Sequence, residues 1–254
     1  MFYVPKGGTW LCMVAMALLT GAIANAQSLY PDGPELMARL RSALPDIPLR
    51  LESDLQARNH RGEIVRVVKA TMDVDWGAAE PMAQYVIRDR FGSEKESLTI
   101  TWPYGAPPRY RYTQGDPPEE TSLADLNQVI DELDVSWAEL SLSFLWWPGG
   151  EIIDTDRVRG RFCHVVELSA PEDAVTSYAR VRLWIDPETY LLMRADAFDD
   201  QDTLVRRLEV KSLRKIDEIW MVQNLDIFAF PSRSRVTLRV RSLETLDGRL
   251  MWVE

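Results

Sequence analysis

The chain has 254 residues, 46% of them hydrophobic, and a formal net charge of −10. So acidic a chain is a poor general binder of nucleic acid, which depends on neutralising phosphates with Lys and Arg. With only Cys12 and Cys163, it must draw its stability from an apolar core rather than a disulfide framework.

Residues 1–26 have the layout of an export signal. Lys6 marks a short basic start and an apolar stretch runs from Trp10 to Ile23. Ala24-Asn25-Ala26 then supplies the small-x-small pattern of a cleavage site. The stretch falls short of the roughly 20 apolar residues of a membrane-spanning helix. Cys12 follows Leu11 and lies too early for a lipidation signal. Cleavage after Ala26 is expected, leaving one domain over 27–254 with Cys163 as its single, buried thiol. No later segment is long and apolar enough to span a bilayer, so a soluble mature chain is expected.

Pro34 to Leu44 predicts an amphipathic helix, with Leu36, Leu40 and Ala43 at helical spacing and Pro45 as the stop. From Ile47 the period changes to two, and Ile64 to Trp76 returns after a turn at Asn59–Gly62. Ala83–Phe91 and Ser97–Trp102 read as a second hairpin. Asp116 to Glu139 holds acids but no Lys or Arg. Within it Ser122 suits an N-cap, and Leu123, Leu126, Val129, Ile130 and Leu133 predict a helix. Glu119-Glu120 and Asp131-Glu132 would then form its solvated face. Ser136 to Trp147 predicts a second short helix with an aromatic end, beside Pro148-Gly149-Gly150.

The last hundred residues alternate strongly. Arg161–Leu168, Ala179–Ile185, Tyr190–Phe198, Leu204–Leu213, Ile219–Phe230 and Arg235–Leu243 predict successive antiparallel strands with one apolar face and one charged face. Asp186-Pro187-Glu188-Thr189, Asp199–Asp202 and Asp217-Glu218 make the turns. The apolar face of such a meander needs a cover, and the middle segment is the candidate.

Three stretches carry a family resemblance: Leu183-Trp184-Ile185-Asp186-Pro187-Glu188-Thr189, Arg206-Arg207-Leu208-Glu209-Val210, and Lys215-Ile216-Asp217-Glu218-Ile219-Trp220. With Asp134–Leu140 and the export signal, they resemble the outer-membrane lipoprotein-sorting family, the LolA-like periplasmic carriers. The resemblance implies a mainly β fold, a curved antiparallel sheet forming an incomplete barrel around short helices, and a periplasmic location. It also implies a non-enzymatic carrier or chaperone for a lipoprotein acyl chain or lipid, with membrane-bound delivery or receptor proteins as partners and no cofactor. A lipid- or lipoprotein-sensing or protein-binding module of the same fold is the alternative. Arg88-Asp89-Arg90-Phe91 lacks the proline of the family's arginine-proline element, so no functional arginine is carried over; Glu218 replaces a usual glycine, which bears on turn geometry and not on function.

On that resemblance, Val181, Leu183, Ile185, Leu191, Met193, Val236, Leu238 and Val240 are candidate cavity walls. Leu140, Phe144, Leu145, Trp146 and Trp147 are candidate lid residues. The same alternation fits a closed core, and both readings stand at this point. Lys and Arg outnumber acids between Leu204 and Arg241, which fits cross-strand pairing or a docking patch. Signals for catalysis are weak. His60 falls in a turn, His164 in a strand, and no nucleophile elbow, metalloprotease helix or phosphate loop is found. Asp196, Asp199, Asp200 and Asp202 lack the glycine and terminal glutamate of a calcium loop and read as a solvated turn.

Overall fold

A computed structural model describes residues 32–254 apart from 60, 90, 124 and 218. The export signal with its cut after Ala26, and the turn residues His60 and Glu218, lie outside the described residues.

The chain begins with α1 (Gly33–Ser42), close to its expected bounds. Asp32 caps it by accepting from the Glu35 N–H at 2.8 Å, and Leu36, Met37 and Leu40 form its buried stripe. Two meanders follow. The first is β1 (Leu49–Arg58), β2 (Ile64–Asp75), β3 (Met82–Arg88), β4 (Glu94–Thr101), β5 (Arg109–Gln114) and β6 (Glu119–Thr121). The second is β7 (Glu151–Val158), β8 (Arg161–Ser169), β9 (Arg180–Ile185), β10 (Leu192–Phe198), β11 (Leu204–Ile216), β12 (Ile219–Ala229), β13 (Arg235–Thr245) and β14 (Leu250–Val253).

The first strand and the thirteenth zip the meanders together, from Leu49 opposite Thr245 to Arg58 opposite Arg235. One curved, unclosed antiparallel sheet results, in the order β6-β5-β4-β3-β2-β1-β13-β12-β11-β10-β9-β8-β7. The mainly β, incomplete-barrel class expected from the sequence is the one observed.

β6 and β7 are the two sheet edges, so the chain must cross from one to the other between them. That crossing carries α2 (Trp137–Ser141) and a 3-10 turn, Ser143–Trp146, across the concave face. Trp137 and Phe144 are among the largest fully buried side chains. Burying each such ring removes enough apolar surface to contribute about 2–3 kcal/mol.

The crossing also corrects three expectations. Leu123 to Leu133 is not a helix and Ser122 caps nothing. Asp125 instead accepts from the Asn127 N–H at 2.7 Å in a local turn. Asp131 and Glu132 both take positive φ, 41° and 58°, and two successive left-handed residues end any right-handed helix. Leu126, Ile130 and Leu133 are buried all the same. Their spacing therefore reports burial rather than helix. Glu119 and Glu120 lie in the edge strand β6, not on a helix face, and Asp131 and Glu132 pair with Arg66 of β2 at 2.8 and 2.9 Å. The single helix expected over Ser136–Trp147 is split, because Leu142 adopts a left-handed φ of 50° between α2 and the 3-10 turn.

β5, β6, β7 and β14 were not foreseen. β14 has a particular place. β12 pairs with β13 only over Asn224–Phe228, and beside Ser242–Glu244 it is β14 that pairs with β13. The sheet is thus split where Ile219–Val222 leave β13.

A candidate apolar cavity under the crossing segment

The concave face presents a row of opposed residues running across four strands. Tyr85 of β3 faces Met72 of β2, Met72 faces Leu51 of β1, and Leu51 faces Leu243 of β13. Val74 opposite Leu49 forms the row beside it. Period-two alternation puts all of these on one side of the sheet.

Above these rows lies a cavity of about 250 Å³. Its roof is Leu40, Ala43 and Leu44 from the end of α1, with Leu140, Leu142, Leu145 and Trp146 from the crossing. Its flanks are Leu191 and Leu192, and Ile219–Val222 from the length of β12 that has left β13. No charged side chain lines it among the described residues. Such a space suits an uncharged apolar ligand.

The roof is held at three points. Arg41 of α1 donates from Nη1 to the Leu145 carbonyl at 2.9 Å. Glu139 of α2 is buried, and its carboxylate accepts from the Ser136 N–H and hydroxyl, each at 2.7 Å, and from Tyr178 Oη. Burial raises the Glu139 pKa, and the Arg206 guanidinium at 3.7 Å works against that rise. Trp146 stacks on Trp102 with centroids 4.7 Å apart, and Trp76 leans on both at 5.3 and 5.5 Å. Tilted and stacked aromatic pairs of this kind each contribute about 0.5–1.5 kcal/mol beyond their burial.

Of the residues singled out in the sequence, Leu140, Leu145, Trp146 and Leu191 line this cavity. Phe144, Trp147, Val181, Leu183, Ile185, Met193, Val236, Leu238 and Val240 are buried in the core away from its lining. The lining they leave to others comes from β1, β2 and β3 and the end of α1, whose alternation was plain but whose partner surface was not. Arg41 and Tyr85 gave no sequence signal, since neither belongs to a motif.

Other reactive groups are occupied or suppressed. Burial pushes the Cys163 thiol up to about 11, far from a thiolate nucleophile. His164 is buried edge-on to Phe162, and burial lowers its pKa. Asp196 is buried between Arg194 and Arg207 at 2.5 and 2.8 Å. The described residues contain no group of three or more His, Cys, Asp or Glu placed to hold a metal ion.

Comparison with known proteins agrees with this architecture. A family model described as "Uncharacterized protein" matches residues 132–248, less than half of the chain. No curated protein matches. Among solved structures, a DUF1329 family protein from Desulfovibrio piger superposes with a TM-score of 0.72 at 17% identity, covering 85% of this chain and 92% of its own. A domain named for outer membrane lipoprotein sorting, from Vibrio parahaemolyticus, gives 0.70 at 11% identity, covering 85% and 93%. A LolA superfamily protein from Nitrosomonas europaea gives 0.66 at 10%, covering 85% and 94%. The chain therefore shares the fold of these structures, the incomplete-barrel fold that the sequence resemblance implied.

Proposed function

We propose that this protein is an exported, non-enzymatic carrier that holds an acyl chain of a lipid or lipoprotein in the cavity under its crossing segment. The observation that carries the reading is the uncharged cavity of about 250 Å³ between the concave face and a roof made by the end of α1 and the crossing segment. Burying a methylene contributes about 0.8 kcal/mol. Ten methylenes thus supply about 8 kcal/mol, the equivalent of micromolar binding, without any catalysis. The fold shared with a domain named for outer membrane lipoprotein sorting supports the same reading. Its site of action is proposed to be the periplasm after cleavage at Ala26, as one domain over 27–254, with membrane-bound delivery proteins as partners.

The test is a titration of purified protein with an apolar fluorescent probe, followed by competition with an acylated peptide and its unacylated twin. Displacement by the acylated peptide alone is expected. A folded protein that takes up no probe overturns the carrier reading.

A further inference from the structure

Tyr85 is 3% exposed, lines the cavity, and has no hydrogen-bond partner for its hydroxyl among the described residues. It stands in the middle of an otherwise apolar row, between Leu98 on β4 and Met72 on β2. The other buried hydroxyl of the lining, Ser141, has already committed its proton to the Trp137 carbonyl at 2.6 Å. Tyr85 therefore offers the cavity a hydroxyl donor that no described residue engages.

The Tyr85 hydroxyl is not among the fully buried unpartnered polar atoms and so keeps surface open to the cavity; an occupant that accepts from it gains a hydrogen bond that Phe at this position could not offer. Water is a poor occupant, since a stable buried water needs two to four polar partners, and the walls around Tyr85 are hydrocarbon. An anion is a poor one too, because no Lys, Arg or His among the described residues lines the space. Burial raises the phenol's pKa above its usual value, so it stays a neutral donor. What remains is an uncharged oxygen acceptor carried on an apolar body.

Resting on the carrier reading above, we propose that Tyr85 selects the cavity's ligand by donating a hydrogen bond to an acyl carbonyl oxygen, so that the protein takes acyl esters or amides in preference to alkyl chains lacking the carbonyl. The ester of a glycerolipid and the amide of an N-acylated protein share that chemistry. Hydrocarbon burial supplies affinity for either kind of chain, and the hydroxyl supplies the discrimination.

The experiment compares two lysophosphatidylcholines with the same headgroup and chain length, one a hexadecanoyl ester and the other a hexadecyl ether. Each competes with the fluorescent probe on wild-type protein and on Tyr85→Phe. The wild type is expected to favour the ester about fivefold, the size of one net hydrogen bond. Tyr85→Phe should bind ester and ether alike, the preference for the ester being lost. A hexadecanoyl peptide run beside the lysolipids separates the sources: loss on Tyr85→Phe in the peptide arm assigns the amide, and loss in the lysolipid arm assigns the ester. Equal wild-type affinity for ester and ether overturns the role of Tyr85 and leaves the carrier standing. So does an equal loss of both in Tyr85→Phe, which marks a packing role. Failure of every lipid to displace probe from a folded protein overturns the carrier reading itself.

Discussion

Arg41 on α1 donates to the Leu145 carbonyl at 2.9 Å, so one side chain ties the two halves of the cavity roof together. The bond lies outside every helix and strand ladder. It can break without unravelling either element, which makes it the natural place for the roof to part. Replacing Arg41 with Ala removes one charge-assisted hydrogen bond, a loss of about 1–2 kcal/mol given its partial exposure. The expected outcome is a faster probe off-rate with an unchanged sheet. Hydrogen exchange should rise across 143–147 and stay unaltered in β11. Uniform loosening of the whole protein would show that Arg41 supports the fold at large.

Trp146 and Trp147 are neighbours in sequence with different surroundings. Trp146 is half-buried in the tryptophan stack and lines the cavity, whereas Trp147 is buried in the core. Trp146→Ala is expected to cost about 1–2 kcal/mol of stability and to weaken probe binding several-fold. Trp147→Ala should cost about 3–5 kcal/mol by opening a void. Denaturant melts of both variants, run beside probe titrations, check the contrast. Equal stability losses with equal probe affinity would remove Trp146 from the cavity roof.

These two tryptophans also show what the sequence could and could not reveal. Strong alternation in Val181–Ile185 and Val236–Val240 identified strands, and these are β9 and β13, although Trp184 and Thr237 on their other face are buried as well. Alternation states that a side chain is covered, without stating by what. The split of β12 from β13, which opens a flank of the cavity, arises from β14 pairing with β13 in place of β12. No local pattern near Ile219 carries that information. The acidic segment misled for a related reason: Leu126, Ile130 and Leu133 have helical spacing because they plug the core, while Asp125 and the left-handed pair Asp131-Glu132 turn the chain.

The start of α1 is set by a close approach. A Cβ built on Gly33 would lie 2.1 Å from the Gly150 carbonyl oxygen, a backbone atom that cannot rotate aside. In an open helix Gly→Ala stabilises by about 1 kcal/mol. Here the contact reverses the sign, and Gly33→Ala is expected to destabilise by about 2 kcal/mol or more. Because α1 supplies part of the roof, probe affinity should fall as well. Thermal melts decide the matter, and a variant as stable as the wild type would refute the packing of α1 against Gly150.

Acid stability should depend on Asp196. Burial alone would push its carboxyl up, but hydrogen bonds from Arg207 and Arg194 outweigh burial and hold it below its ordinary value of 3.8. A carboxylate with a depressed folded-state pKa contributes stability that is fully present above its unfolded value and is lost as pH falls through its folded value. Glu139 and Glu96, whose pKa values burial raises, act oppositely: each favours the fold more as pH falls toward 4.5. The wild-type curve therefore mixes both signs, and the difference between wild type and Asp196→Asn isolates the aspartate. At pH 7 the variant leaves two guanidinium groups facing a neutral amide and should lose about 3 kcal/mol. That gap should be flat from pH 7 to about 5 and narrow below pH 4, as Asp196 of the unfolded wild-type chain takes up a proton that the folded chain still refuses. Urea melts at pH 7, 5, 4 and 3 measure it. A gap that stays constant down to pH 3 would show that Asp196 takes up its proton alike in the folded and unfolded chain, so that the two arginines do not hold its carboxyl down.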